Sequence, residues 1–375
     1  MDSKPRCLVL FEESCKSKAT KKNYKLGLDR FLKWAKKDYE SFLILSEDER
    51  QVLLEDYTIY VKRRLNPNSV PKVLQGPQKF LKANRVKYDK EALEGLFPEE
   101  IKSGGERAIT TEEIQRMLRF TSSKRVKALI HLLSATGHRP EALADLMIKD
   151  MSELSKESLC LVAYRNSKNE HEVFCHSEAK KAIEEYLEER KAQGEKLTSD
   201  SYLLAKHDLF KQGIDSKPLI VQAVDSMIGT VMKKAKIERI KRGNRFDLAV
   251  CGGFRKRFNT ILKSNPNISY AIAERLMDHK TNLEPVYLHT PKERLFSEYE
   301  KAIPELMVDQ ESRLREESKK KDVTIEKFGY EAKNEIESMK RELHAQRIDT
   351  LKLIGDAIKD PEKFKKLLSE FKDED

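Results

Sequence analysis

The chain has 375 residues, 39% of them apolar and 36% charged, and its 73 Lys and Arg against 63 Asp and Glu leave a net charge of +10. That is enough apolar material for a real core in two or three domains, and the basic excess points to a polyanionic partner. The five cysteines (Cys7, Cys15, Cys160, Cys175, Cys251) form no CxxC pair and are odd in number, which speaks against a zinc site or a disulfide framework; there is no run of about 18 apolar residues, and the CLVLF run is too short for a signal-peptide core. The expectation is a soluble protein of the reducing cytoplasm, with no membrane partner.

In chain order, residues 17–37 place Tyr24, Leu28, Phe31, Leu32 and Ala35 at helical spacing among lysines and arginines, which predicts a basic amphipathic helix. Ser46 with Glu49 predicts a capping box opening a second helix to about Arg64. Val70 to Asn84 carries a third helical pattern, interrupted at Gly76-Pro77. These make a small helical domain over residues 1–104, closed by the polar, doubly glycine-bearing Lys102–Gly105 linker.

Thr110 with Glu113 caps a fresh helix and opens a second domain, expected over 105–308. It reads as helical to about Leu146. Strand-like SLCLVAY (158–164) and HEVFC (171–175) then flank a turn at Asn166 to Glu170, and helices resume with EAKKAIEEYLEER. Residues 309–375 read as a charged helical tail, solvent-exposed or partner-binding. The basic excess lies before this tail: residues 1–104 hold 22 basic and 16 acidic side chains, residues 105–308 hold 35 and 29, and the tail 16 and 18.

Chemistry-bearing residues gather in four stretches. SATGHRPEALADL sets Arg139 at a helix start; YRNSKNEHEVF sets Lys168 in a hairpin turn; CGGFRKRFNTIL sets Arg255 beside a buried face of Phe254, Phe258, Ile261 and Leu262; LMDHKTNLEPVYLHTPKERLFSEYEKAI sets His279 eight residues before Tyr287 and twenty before Tyr299. Leu295, Tyr299, Ile303 and Leu306 recur at helical spacing, so Tyr299 is expected to pack into a helix interface. Tyr287 lies between Pro285 and Pro291 with no sustained periodicity, which predicts a connecting segment able to reach a substrate.

In order and spacing these stretches resemble the tyrosine recombinases of the phage-integrase family, and more closely their archaeal branch. TGHRPEALADL is similar to the family's TG-x-R segment, SKNEHEVF to its lysine hairpin, GFRKRF to its H-x-x-R helix start and LMDHK to its LxGH box. The resemblance implies a mainly α fold with a small antiparallel β-sheet, built as a helical N-terminal core-binding domain plus a tyrosine-recombinase catalytic domain. It implies a site-specific recombinase or integrase that cleaves and rejoins double-stranded DNA through a 3′-phosphotyrosyl intermediate, for integration or excision of a mobile element. Dimers to tetramers would form on DNA, and no metal or cofactor would be needed. By the same resemblance Arg139 and Arg255 clamp the phosphate, His279 is a third donor, Lys168 protonates the departing 5′ oxygen and Tyr287 is the nucleophile. The rival expectations are a type IB topoisomerase-like enzyme and a DNA-binding relative that no longer cuts.

One position departs from the pattern. Where the family has histidine three residues before its second arginine, this chain has Gly252. A phenol near pKa 10 is only about 0.1% ionised at pH 7 and is normally helped by a base. Lys168, Lys256 or water would accept the proton, or the arginines would depress the phenol, or catalysis is weak. Alternatively the glycine provides a positive-φ turn before the Arg255 helix.

Overall fold

A computed structural model describes residues 4–101, 105, 107–206, 217–242, 245–279 and 291–360, with positions 362, 365–366 and 369 beyond them. The expected linker residues 102–104 and the segment carrying Tyr287 lie outside the described residues. The chain divides into two compact units, Met1–Glu106 with Arg239–Ala249 and Arg107–Glu238 with Val250–Asp375. No helix among the described residues is long and apolar enough to cross a membrane.

The first unit is helical: α1 (Arg6–Glu13), α2 (Lys18–Ala35), α3 (Tyr39–Leu43), α4 (Glu47–Lys62), α5 (Val70–Ala83) and α6 (Lys90–Gly95). The expected cap is present, Ser46 forming the full box with Glu49, and Ser17 also caps α2 by accepting from the Thr20 amide. The core joins Phe11, Leu28, Phe31, Phe42, Leu54, Leu74 and Phe80, all fully buried. Contrary to the sequence reading, α5 runs unbroken through Gly76-Pro77. The reason is the crossing with α2: a Cβ on Gly76 would fall on the Tyr24 carbonyl oxygen, so the glycine is what lets the two backbones touch. A short hairpin, Lys241–Arg242 with Arg245–Phe246, also belongs to this unit.

The second unit opens with the Thr110–Glu113 capping box of α7 (Thr111–Arg119), followed by α8 (Lys124–Thr136) and the single-turn α9 (Pro140–Ala144). Three antiparallel strands follow in spatial order β1 (Met151–Ser155), β2 (Ser158–Ala163), β3 (His171–Cys175), with Ala163 opposite His171 closing the β2–β3 hairpin. The sequence reading anticipated β2 and β3 and missed β1. The MSELS sequence of β1 is largely exposed, so it shows little of the apolar enrichment that marks a buried strand. The remaining helices are α10 (Ser177–Ala192), α11 (Val221–Lys234), α12 (Gly252–Ser264), α13 (Tyr270–Leu276), α14 (Lys292–Leu306) and the 50-residue α15 (Gln310–Lys359). A core of Phe174, Phe258, Leu262, Ile272, Leu295, Tyr299 and Ile303 joins β3 to α12, α13 and α14. The fold is thus mainly α with a small antiparallel sheet.

Candidate active site

Two chain reversals and one helix start build the site. The first reversal ends α8 at Gly137, whose φ of 59° is left-handed and whose Cβ, if it had one, would lie 2.5 Å from Phe258. Glycine is required there both by backbone conformation and by space. The chain then passes through His138 to Arg139, the N-cap of α9. The second reversal ends α13: the Asp278 amide donates to the Arg275 carbonyl and the His279 amide to the Glu274 carbonyl, each at 3.0 Å, and Asp278 has φ 52°. This is a Schellman-type stop, which usually takes glycine at the left-handed position. Aspartate tolerates that conformation better than most residues, and it brings a carboxylate where glycine brings none.

Arg255, on the first turn of α12, ties the two reversals together. One guanidinium nitrogen donates to the Gly137 carbonyl at 3.0 Å and the other to the Met277 carbonyl at 2.5 Å. Burial first, and then the nearby Arg139 charge, push Arg255 below its usual pKa. Arg139 is half exposed and lies 3.7 Å from one Asp278 oxygen, while the other Asp278 oxygen is 3.7 Å from His171 Nδ1. His279 Nδ1 donates to Glu274 at 2.9 Å. Lys263 first, and then His279, hold the Glu274 carboxyl below the ordinary range. With its Nδ1 hydrogen committed to that anion, His279 can donate from Nε2 to an anionic ligand only as the doubly protonated imidazolium.

Of the residues expected from sequence, Arg139, Arg255 and His279 come together on these two reversals. Lys168 is exposed in the β2–β3 turn, three residues before His171, and its ammonium has no hydrogen bond or ion pair among the described residues. Tyr287 lies outside the described residues. Tyr299 is buried as expected: it is 1% exposed on α14, packs near Phe174 and Phe258, and donates its hydroxyl to the Ala135 carbonyl at 3.0 Å. Burial pushes its phenol well above the ordinary pKa, the opposite of what a nucleophile needs.

Gly252 is the first residue of α12 and is not among the positive-φ glycines. The alternative of a glycine-requiring turn before Arg255 is therefore overturned. A helix start places no such demand on the residue, because its backbone lies in the ordinary right-handed region.

Sequence reasoning missed His138, His171 and Asp278. The two imidazoles meet end to end in nearly parallel planes, with centroids 4.8 Å apart and Nε2 atoms 2.5 Å apart. Both histidines stood inside stretches already singled out, one beside Arg139 and one three residues past Lys168, so proximity to those cations was the available clue. The GFRKRF stretch also held a second arginine. Arg257 is buried and donates to the Leu306 and Glu305 carbonyls and to the Ser134 and Thr111 hydroxyls; burial lowers its pKa to about 10. It secures the end of α14 and does not face the Arg139 cluster.

Residues 107–293 match the phage integrase family. In structure the chain is similar to XerH site-specific recombinase bound to its difH substrate in a pre-cleavage complex, at 16% identity and a TM-score of 0.50 over 73% of this chain and 79% of that one. It is also similar to the Tn1549 transposon integrase in complex with transposon right end DNA (14% identity, TM-score 0.49, 79% of this chain and 98% of that one). A lambda integrase dimer bound to a COC′ core site is another (14% identity, TM-score 0.48, 74% and 92%). No curated protein matches the chain at a significant level.

Proposed function

We propose, for a chain that carries a phage integrase family domain over residues 107–293, that it is a site-specific DNA recombinase acting through a tyrosine. The observation that carries this reading is the convergence of Arg139, Arg255 and His279 on two chain reversals tied by Arg255. A phosphodiester repels nucleophiles by its negative charge. Two guanidinium groups and the His279 imidazolium, donating to its nonbridging oxygens, would offset that charge and stabilise the pentacoordinate transition state.

In this reading the Tyr287 oxygen attacks phosphorus, the bond to the 5′ oxygen breaks, and Lys168 gives that oxygen a proton. A 3′-phosphotyrosyl ester results. Attack on it by the 5′ hydroxyl of another strand rejoins DNA and releases the tyrosine without ATP. The exposure of Lys168 in its turn is compatible with reaching a bound strand. The helical domain of residues 1–104 and the catalytic domain of 105–308 both carry excess positive charge by sequence and would contact phosphates, giving salt-sensitive binding. We propose further that the chain forms dimers to tetramers on DNA, acts in the cytoplasm and serves an archaeal mobile element, with residues 309–375 as a helical tail.

The test is incubation with a pool of randomised duplexes carrying a nick, which traps a tyrosyl enzyme by loss of the cleaved strand. The expected result is a denaturant-resistant protein–DNA adduct that forms in excess EDTA. Retarded DNA without adduct would instead identify a binder, and activity only with a divalent ion a metal nuclease.

A further inference from the structure

The contact between His138 and His171 imposes a proton count. His138 Nδ1 lies 2.9 Å from the Thr136 carbonyl oxygen and His171 Nδ1 lies 2.8 Å from the Asn169 carbonyl oxygen. A carbonyl only accepts, so each Nδ1 carries a hydrogen. A neutral imidazole has one N–H, which leaves both Nε2 atoms as bare lone pairs. Yet these two atoms are 2.5 Å apart. Two lone pairs repel at that distance, whereas one proton between them makes a short charge-assisted hydrogen bond. Moving a hydrogen from Nδ1 to Nε2 in either ring would set the vacated lone pair against its carbonyl oxygen, trading one repulsion for another.

The groups around the pair bear on its charge. Arg139 follows His138 in sequence, and Arg255 reaches the neighbouring Gly137 carbonyl; both oppose a cation. The Tyr164 ring lies 5.8 Å from His171 between centroids, and Glu141 sits on the first turn of α9. Asp278, 3.7 Å from His171 and 3.7 Å from Arg139, favours a positive charge on each. Burial, and then His171, push the ionisation of His138 down to about 3, so the deep burial of His138 opposes the charge that the Nε2 contact and Asp278 favour.

We propose that His138 and His171 share one proton, and that the resulting charge takes part of the Asp278 carboxylate so that Arg139 keeps its own for a phosphate. The pair is then a positioning device for the phosphate clamp; it rests on the recombinase reading above and extends it to a pH dependence. When the pair loses its proton as pH rises, Asp278 leans wholly on Arg139, and the clamp weakens.

Two measurements on the full chain test this. Histidine ¹⁵N NMR of the free protein at pH 7 is expected to show hydrogen on both Nδ1 atoms and a single far-downfield proton shared by the two Nε2 atoms. A ring with a bare Nδ1 overturns the shared proton. The second is fluorescence anisotropy with a 40-base-pair duplex of arbitrary sequence between about pH 6 and 9. Affinity should fall about three- to fivefold as the pair deprotonates, the size expected of one partly exposed charge contact. Asp278→Asn, which tolerates the same backbone, should bind without that fall. His171→Gln should bind weakly at every pH, and adding Asp278→Asn to it should restore binding. An equal pH dependence in wild type and Asp278→Asn, or no restoration in the double variant, overturns the link through Asp278. Absence of duplex binding at any pH overturns the clamp and the recombinase reading with it, while the NMR result still decides the shared proton.

Discussion

Arg255 donates to the Gly137 carbonyl at 3.0 Å across 118 residues of sequence, so the arginine expected to hold a phosphate also holds the loop that presents Arg139. Arg255→Lys loses the planar fork that serves both tasks. Cleavage is expected to fall at least about 100-fold, as for loss of one oxyanion donor. Arg257→Met, two residues away, removes the partner of two carbonyls and two hydroxyls instead. It should cost about 2–4 kcal/mol of stability while leaving cleavage per folded molecule near wild type. Single-turnover rates beside denaturant unfolding separate the two.

The tyrosines are expected to divide in the same way. Tyr287→Phe removes only the proposed attacking oxygen, so covalent adduct should vanish with DNA affinity nearly unchanged. Tyr299→Phe leaves the Ala135 carbonyl without its donor and should cost about 1 kcal/mol with adduct formation retained. Adduct assays on both variants check this, and loss confined to Tyr299→Phe would reverse the assignment.

Gly252→His is expected to raise cleavage near neutral pH, because an imidazole with pKa near 6.5 would supply the absent base and a helix start accepts the residue without backbone strain. General-base assistance is worth about 10² to 10⁴ in rate, of which a retrofitted side chain recovers part. A pH–rate profile unchanged from wild type in a folded variant would show that proton transfer is already handled elsewhere.

Acid stability should reflect two histidines outside the site. Burial lowers His131 to about 4 and His176 to about 3. Their folded pKa values lie below the unfolded value near 6.5, so the unfolded chain binds more protons in between. Stability is therefore complete above about pH 6.5 and is lost as pH falls toward 4; these two contribute a slope approaching two protons, to which His138, also lowered to about 3, adds. Urea unfolding at stepped pH checks this, and His176→Gln should reduce the slope by about one proton in a variant that still folds.

Much of the architecture was legible because it rests on local chemistry. The capping boxes at Ser46 and Thr110, the amphipathic pattern of α2 and the strand-like apolar runs of β2 and β3 each depend on neighbours within a few residues, and each element is observed. The burial of Tyr299 was readable from helical spacing for the same reason. Strand β1 was not, because an exposed strand carries no apolar pattern, and neither was the unbroken α5, because Gly76 answers to a backbone in another helix.

For the site, the sequence by itself singled out Arg139, Arg255 and His279 through motif order, and nothing in that order distinguished what Arg255 and Arg257 would each touch. Only the tertiary structure decided that one arginine ties the two reversals while the other is spent on the end of α14. It alone set His138 against His171, 33 residues away, and aimed Asp278 at both Arg139 and His171 from a left-handed backbone. The physical reason is that local spacing specifies which face of an element a residue occupies. A proton shared between two rings, or a carboxylate divided between two cations, depends on approaches of a few ångströms that only the packing of separate elements creates.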